Sequence, residues 1–273
     1  MGLPAAALLT LTLSFADALY DGGDYGLAAL EYSRVLYESG DTLGQPEEAL
    51  RLARCLHALG RYQESLTLYS LLESRLQDPD SRALAAMGAG AVYADLGFHG
   101  RSIELYEEAA RTATGEDLVF RAELLGALTP VYDREWSLAV EGLGELEEEW
   151  PGSRGQLAGE LRGIAARGDR LPGRSPFWCG LASAILPGSG QMICGHVKDG
   201  LMAFGMTAAA GALLYAAVDE DNLSTSMLMG WLTFSFYGAN VYGGARAAEY
   251  YNVARRREVY TQIRDRLERW PGD

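Results

Sequence analysis

For about its first 150 positions the chain places apolar residues three and four apart, the period of a helix with one buried stripe. From residue 177 that stripe widens into blocks with almost no polar interruption. The early pattern also repeats itself: "LYDGGDYGLAALEYSRVL", "CLHALGRYQESLTLYSLL", "VYADLGFHGRSIELYEEA" and "VYDREWSLAVEGLGEL" align on one offset. Gly23, Gly60, Gly97 and Arg134 stand 37 residues apart, as do Ala28, Ser65, Ser102 and Ala139, and as do Tyr32, Tyr69 and Tyr106 with Leu143. Each unit predicts a helix, a turn at the glycine, and a second helix with a small residue where the two cross. Such helix pairs cannot bury their apolar faces alone and stack on their neighbours. The fourth unit differs: Trp136 replaces the tyrosine of the first two, and Pro130 falls inside its first helix, which predicts a kink there. A further helix, about 153–168, is expected to cap the stack.

Three apolar blocks follow a Pro/Gly/Arg linker at 169–176. The first, 177–195, is "FWCGLASAILPGSGQMICG"; the second, 201–218, is uncharged for 18 residues; the third, 223–245, for 23. At about 1.5 Å per residue the last two reach roughly 27 and 34 Å, enough for a bilayer core of about 30 Å. The acidic stretch Asp219–Asn222 joins them as a tight hairpin, and small residues recur at Ala203, Thr207, Gly211 and at Ser235, Ala239, Gly243, a spacing that lets membrane helices approach closely. Pro187, Gly188 and Gly190 interrupt the first block, and a plain helix would tolerate none of them well. The expected result is a half-helix, a turn and a short second piece held against the hairpin. Irregular backbone at membrane depth needs its polar groups satisfied by protein or water, and Gln191, Lys198, Asp199 and Asn240 are the candidates. We read this cluster as a structural latch rather than a transport site. Residues 246–273 predict a basic amphipathic helix with Val259, Ile263, Leu267 and Trp270 on one face, lying along the membrane surface.

Charge narrows the picture. Of a net −14, residues before 176 hold 15 basic and 28 acidic side chains, those after hold eight and nine. The acidic half argues against a phosphate-backbone partner, so no nucleic acid is expected. Cys55, Cys179 and Cys194 have no metal-ligand spacing and are odd in number, so neither a disulfide framework nor a zinc site is expected. Cys55 and His57 read as packing residues. The glycine-rich stretch fails as a P-loop, because His196-Val197 follows Gly195, and as a dinucleotide fingerprint, because Ile193 stands at the third glycine; Ser189 lacks the glycines of a nucleophile elbow. No catalytic, cofactor-binding or metal-binding residues are expected, nor a small-molecule substrate. At the N-terminus, an apolar run ending in Ser14-Phe15-Ala16 reads as a secretory signal over 1–16.

The repeats resemble the tetratricopeptide family. Its Gly-Asp-Tyr turn stands here as Gly23-Asp24-Tyr25, its packing alanine as Ala28 and the following aromatic as Tyr32; the period exceeds the family's usual 34. The resemblance implies an all-α solenoid over 17–168 whose first helices line a concave face, which nominates Arg54, His57, Met87, Asp95, Arg121 and Leu124 as a groove for a protein or peptide partner. The interrupted block resembles the signature of a small bacterial membrane module related to the TM2 domain, matching at Leu186, Pro187, Gly188, Gly190, Gln191, Gly195 and Gly200 and departing at Ile193. That resemblance implies a helical membrane domain over 177–245 in a bacterial inner membrane. If all three blocks span, the positive-inside pattern puts the repeats in the periplasm, in agreement with a signal peptide. If the first block is re-entrant, repeats and C-terminus share a side and the charges favour the cytoplasm. The expected function is a non-enzymatic, membrane-anchored scaffold binding a protein partner at the cell envelope. The alternative is an accessory factor in membrane-protein or envelope biogenesis, acting through the membrane module.

Overall fold

The computed structural model describes residues 15–40 and 44–270. Among them the chain is helical and contains no strand. After a helical stretch at 15–21, the elements are α1 Tyr25–Ser39, α2 Pro46–Ala58, α3 Tyr62–Arg75, α4 Pro79–Asp95, α5 His99–Thr112, α6 Glu116–Leu128, a 3-10 turn Thr129–Val131, α7 Trp136–Glu149 and α8 Ser153–Asp169. Then come α9 Pro176–Ile185, α10 Ser189–Ile193, α11 Val197–Asp219 and α12 Leu223–Glu268. The chain divides into two compact units: one ends at Asp169 and takes in the residues from Glu268 onward, the other is Arg170–Leu267.

In the first unit each helix packs chiefly on its neighbours in sequence. The 37-residue columns recur in the backbone. Gly23, Gly60 and Gly97 adopt φ of 77°, 73° and 81°, and Arg134, in the same column, adopts 66°. That conformation ends one helix and aims the chain into the next, and glycine reaches it without a Cβ penalty. The columns that follow are the core. Ala28, Ser65, Ser102 and Ala139 are all fully buried, and so are Tyr32, Tyr69 and Leu143, with Tyr106 nearly so. Ser65 donates its hydroxyl to the Ala53 carbonyl at 2.8 Å, which holds α3 on α2 where a larger residue would push them apart. Caps set the helix starts: Asp24 accepts from the Leu27 N–H, and Asp78 accepts from the Ser81 N–H ahead of Pro79. Pro130 does break its helix, because α6 stops at Leu128 and the 3-10 turn replaces it. The expected terminal helix at 153–168 is α8.

The signal-peptide assignment lies mostly outside the described residues. Its last residue, Ala16, is fully buried against Ala28, Ala29, Tyr32 and Cys55. Next to it, Asp17 accepts hydrogen bonds from the Tyr32 hydroxyl at 2.6 Å and from Arg51 at 2.8 Å. Residues 15–21 thus belong to the packing of the first repeat.

In the second unit α11 has the length and apolarity to cross a membrane, and only 11% of its most apolar stretch is buried. Leu201, Met202 and Leu213 on α11, with Met227, Trp231 and Phe234 on α12, are exposed. A core helix of a water-soluble unit would cover such a surface. The third block is long enough to span, yet its Ser, Thr, Tyr and Gly residues keep it below the apolarity of α11, the one membrane-length apolar helix among the described residues. The separate blocks expected at 223–245 and 246–273 show no break between them: a single helix of 46 residues, α12, runs from the first into the second as far as Glu268. The acidic loop makes the hairpin turn as expected, with Asp221 at φ 53° and Asn222 accepting from the Thr225 N–H.

Candidate functional site: a polar latch at the break in the apolar block

Ser175 caps α9, Pro176 starts it, and Pro187 prevents it from continuing past Ile185. Leu186 is extended, Gly188 turns left-handed at φ 87°, and α10 starts at Ser189. The chain then runs back along α9, and Cys194, at the far end of α10, brings its sulfur to 3.5 Å from that of Cys179 in the first turn of α9. The first block is therefore a reversal whose end returns to its start. Glycine is required at two points of this reversal. A Cβ on Gly188 would collide with the Gly200 carbonyl at the start of α11, and one on Gly190 with the Cys179 carbonyl.

The tip of the reversal is held by polar groups buried inside an apolar unit. Asn240 of α12 accepts from the Gly188 N–H at 2.7 Å and donates to the Ser183 carbonyl at 2.8 Å. Gln191 donates to the Asn240 carbonyl at 3.2 Å and accepts from the Ser183 hydroxyl at 2.9 Å, and that hydroxyl in turn accepts from the Gly190 N–H at 3.0 Å. Tyr237 donates to the Ala184 carbonyl. Asn240, Gln191 and Ser183 are 4%, 6% and 0% exposed, and they and Tyr237 satisfy the Gly188 and Gly190 N–H groups and the Ser183 and Ala184 carbonyls internally, as burial demands. The Ser189 hydroxyl is buried too, and has no partner.

Gln191 and Asn240 thus sit where the sequence reading put them. Lys198 and Asp199 do not. Both are exposed on the first turn of α11, beyond the turn at Gly195, and Asp199 lies 3.5 Å from His196. The first turn of α11 packs on the tip of the reversal through Gly200 and Gly188, and it leaves the Lys198 and Asp199 side chains on its exposed side. Ser183 and Tyr237 do the work assigned to them. Cys179 and Ser183 are four residues apart on one face of α9, and that spacing was the available signal for Ser183. Nothing in the local pattern marks Tyr237. Beside the latch, Gln191, Asp199, Met202, Met206, Phe236 and Asn240 contribute to a cleft of about 400 Å³ between α11 and α12.

The groove nominated on the repeats is partly dismantled. Leu124 is 3% exposed and belongs to the core, because its face of α6 packs inward. Met87 packs against a cluster of Ala83, Ala86, Ala109 and Ala122. His57 and Asp95, from α2 and α4, are brought together at 2.7 Å. Arg121 pairs within its own helix with Asp117 at 3.7 Å, and Arg54 is exposed. A second histidine repeats the arrangement, with His99 2.7 Å from Asp133. Burial pushes the Cys55 thiol up to about 11, which leaves it protonated and unreactive at neutral pH.

Comparison of the chain with family models, with curated proteins and with solved structures finds no match.

Proposed function

We propose that the chain is a non-enzymatic, membrane-anchored scaffold: its first unit is a tetratricopeptide-like solenoid that binds a protein or peptide partner, and its second unit is a TM2-like anchor. The observation that carries this reading is the contrast between the units. The first buries its apolar columns completely, while the second leaves α11 and the first half of α12 apolar and exposed. Nearest-neighbour packing with a constant period supports the solenoid, and the latch supports the anchor, because a buried network of this kind is needed only where water cannot reach the backbone.

The periplasmic placement of the repeats depended on three crossings. With the first block reversing, α11 and α12 make two, and the linker and the basic residues after Arg246 emerge on one side. Arg170, Arg174, Arg246 and Arg255–Arg257 then assign that side to the cytoplasm. We propose the repeats are cytoplasmic at a bacterial inner membrane. Protease protection of the repeats in intact spheroplasts, with carbonate extraction of membranes, tests this. A membrane-retained chain whose repeats are digested only after the membrane is lysed is expected; repeats digested in intact spheroplasts would restore the three-span arrangement, and extraction into the soluble fraction would refute the anchor.

A second reading rests on the cleft beside the latch. Met202, Met206 and Phe236 offer adaptable apolar contacts, and Asn240 and Gln191 lie at its polar margin. A client helix seated there would make the chain a biogenesis factor. Crosslinking from Met206 in native membranes separates the two readings: a captured membrane helix favours this one, and a partner captured from Arg54 alone favours the scaffold.

A further inference from the structure

The linker and α12 meet at one residue pair. Asn252 accepts from the Arg174 N–H at 2.7 Å and donates to the Arg174 carbonyl at 2.8 Å, clamping the backbone of a segment 78 residues away. The clamp fixes where the Arg174 side chain goes. Its guanidinium lies 5.5 Å from the centroid of the Tyr251 ring, and Arg255 places a second guanidinium 5.5 Å from the same centroid. Tyr251 itself packs on the buried Cys179, Cys194, Ala247 and Ala248, so the ring is a fixed platform. Glu258 approaches Arg255 at 3.4 Å, but among the described residues no carboxylate lies within ion-pair distance of Arg174. Two cations from separate elements thus converge on one ring with one carboxylate between them. A hydrogen bond from Arg255 and the charges of both guanidiniums hold the Tyr251 phenol below its usual range.

Position adds a second argument. Tyr251 is 28 residues along α12 from Leu223, about 42 Å at the helical rise, against roughly 40–45 Å for a bilayer with its headgroups. With Leu223 at one headgroup layer, Tyr251 and Arg255 reach the other. Phe177 and Trp178, 68% and 65% exposed, open α9 just after Arg174, in the way aromatic residues mark a membrane interface. Guanidinium pairs match the oxygens of a phosphate with paired donors. We propose that Arg174 and Arg255 form, over Tyr251, a binding site for an anionic phosphate carried by a lipid headgroup. This rests on the membrane-anchor reading, and the cytoplasmic leaflet, which is anionic, supplies the ligand.

The test uses the full-length chain purified in a neutral detergent, with phosphatidylglycerol, phosphatidylcholine or inorganic phosphate added separately. Thermal unfolding and native mass spectrometry are the readouts. Phosphatidylglycerol is expected to raise the unfolding midpoint saturably by several degrees and to remain bound one per chain, with no such effect from phosphatidylcholine. Arg174→Gln with Arg255→Gln should weaken phosphatidylglycerol binding at least tenfold. The corresponding double Lys variant, which keeps the charge and loses the fork, should fall between. Both side chains are exposed, and the Asn252 clamp uses only the backbone of Arg174, so the single Arg174→Gln variant serves if the double one is poorly folded. Equal effects of the two lipids, or unchanged binding in the Gln variants, would overturn the site. Saturation by inorganic phosphate with no further effect of phosphatidylglycerol would overturn the lipid as its source. Release of the wild-type chain by carbonate would overturn the anchor reading instead, independently of these binding results.

Discussion

Replacing Arg134 by glycine should stabilise the first unit, against the usual direction of a substitution. Arg134 occupies the column of Gly23, Gly60 and Gly97 and shares their left-handed backbone at φ 66°. For a residue with a Cβ that conformation costs about 1–2 kcal/mol. Glycine removes the cost but adds unfolded-state freedom worth about 0.4–1 kcal/mol in the opposite sense. The net gain is therefore about 0–1.6 kcal/mol, centred on about 0.8 kcal/mol, or a rise of roughly 2–3 °C at that centre for a unit of this size. The reciprocal change supplies the control: Gly60→Arg should lose about 0–1.6 kcal/mol, centred on about 0.8 kcal/mol, because φ 73° stays imposed by the helices on either side while the unfolded chain loses freedom. Urea unfolding followed by circular dichroism measures both. A stability loss in Arg134→Gly, or an unaffected Gly60→Arg, would show that the shared backbone geometry does not hold the four turns in common and that the repeat register is wrong.

Four further expectations can be checked in the same protein. Ser65→Leu, at a fully buried crossing of α2 and α3, should cost about 1–3 kcal/mol through overpacking and loss of the bond to Ala53, read from the urea midpoint. Asp80 accepts from the Thr114 N–H at 2.6 Å and hydroxyl at 2.9 Å and from the Gly115 N–H, and the backbone bond from Thr114 leads in holding its carboxyl below the usual range. A depressed folded-state pKa means stability that is present above the unfolded value near 4 and lost as pH falls through the folded one. Asp80→Asn should thus lower the midpoint at neutral pH, and the gap from wild type should close as pH falls from about 4 through the folded-state value; a gap constant with pH would refute the linkage. Asn240→Ala leaves the buried Gly188 N–H and Ser183 carbonyl unpaired, at about 1–3 kcal/mol each, and should reduce the amount of chain recovered in membranes. Ser189→Ala removes a buried hydroxyl without a partner and should be neutral or mildly stabilising; damage from Ser189→Ala with a silent Asn240→Ala would mark the serine as chemical rather than the asparagine as structural.

The helical class was legible because period and turn residues recur locally. Gly23, Gly60 and Gly97 could be aligned by eye, and Arg134 followed from position despite its identity. The interruption at Pro187–Gly190 was legible for the same reason, since proline and glycine act on their own backbone. Its direction was not. Whether the chain continues across or doubles back depends on Cys179 meeting Cys194 and on Asn240, 52 residues beyond Gly188, and no periodicity encodes those meetings. Lys198 and Asp199 were assigned to the latch by polarity in an apolar neighbourhood, which is a statement about composition. The packing of Gly200 on Gly188 decides the outcome, and it leaves both charged side chains exposed. Leu124 shows the matching error on the repeats: a family's general geometry names the helix that lines a groove, while the packing of this chain turns that residue inward.

The unbroken course of α12 makes it a ruler as well as an anchor. Its buried positions continue past the point where its composition turns basic, from Ala248 to Val259, 11 residues or about three turns later, and on to Ile263. Because no proline or loop absorbs error between Asn240 and Ile263, angular phase is carried from the latch to the C-terminal turns. One residue inserted near Val253 would rotate everything beyond it by about 100° and carry Val259 and Ile263 off the buried face, whereas four inserted residues, a little over one turn, would nearly restore it. The spacing along this helix is therefore constrained modulo a turn, and tolerance to insertion there should be periodic rather than graded with length.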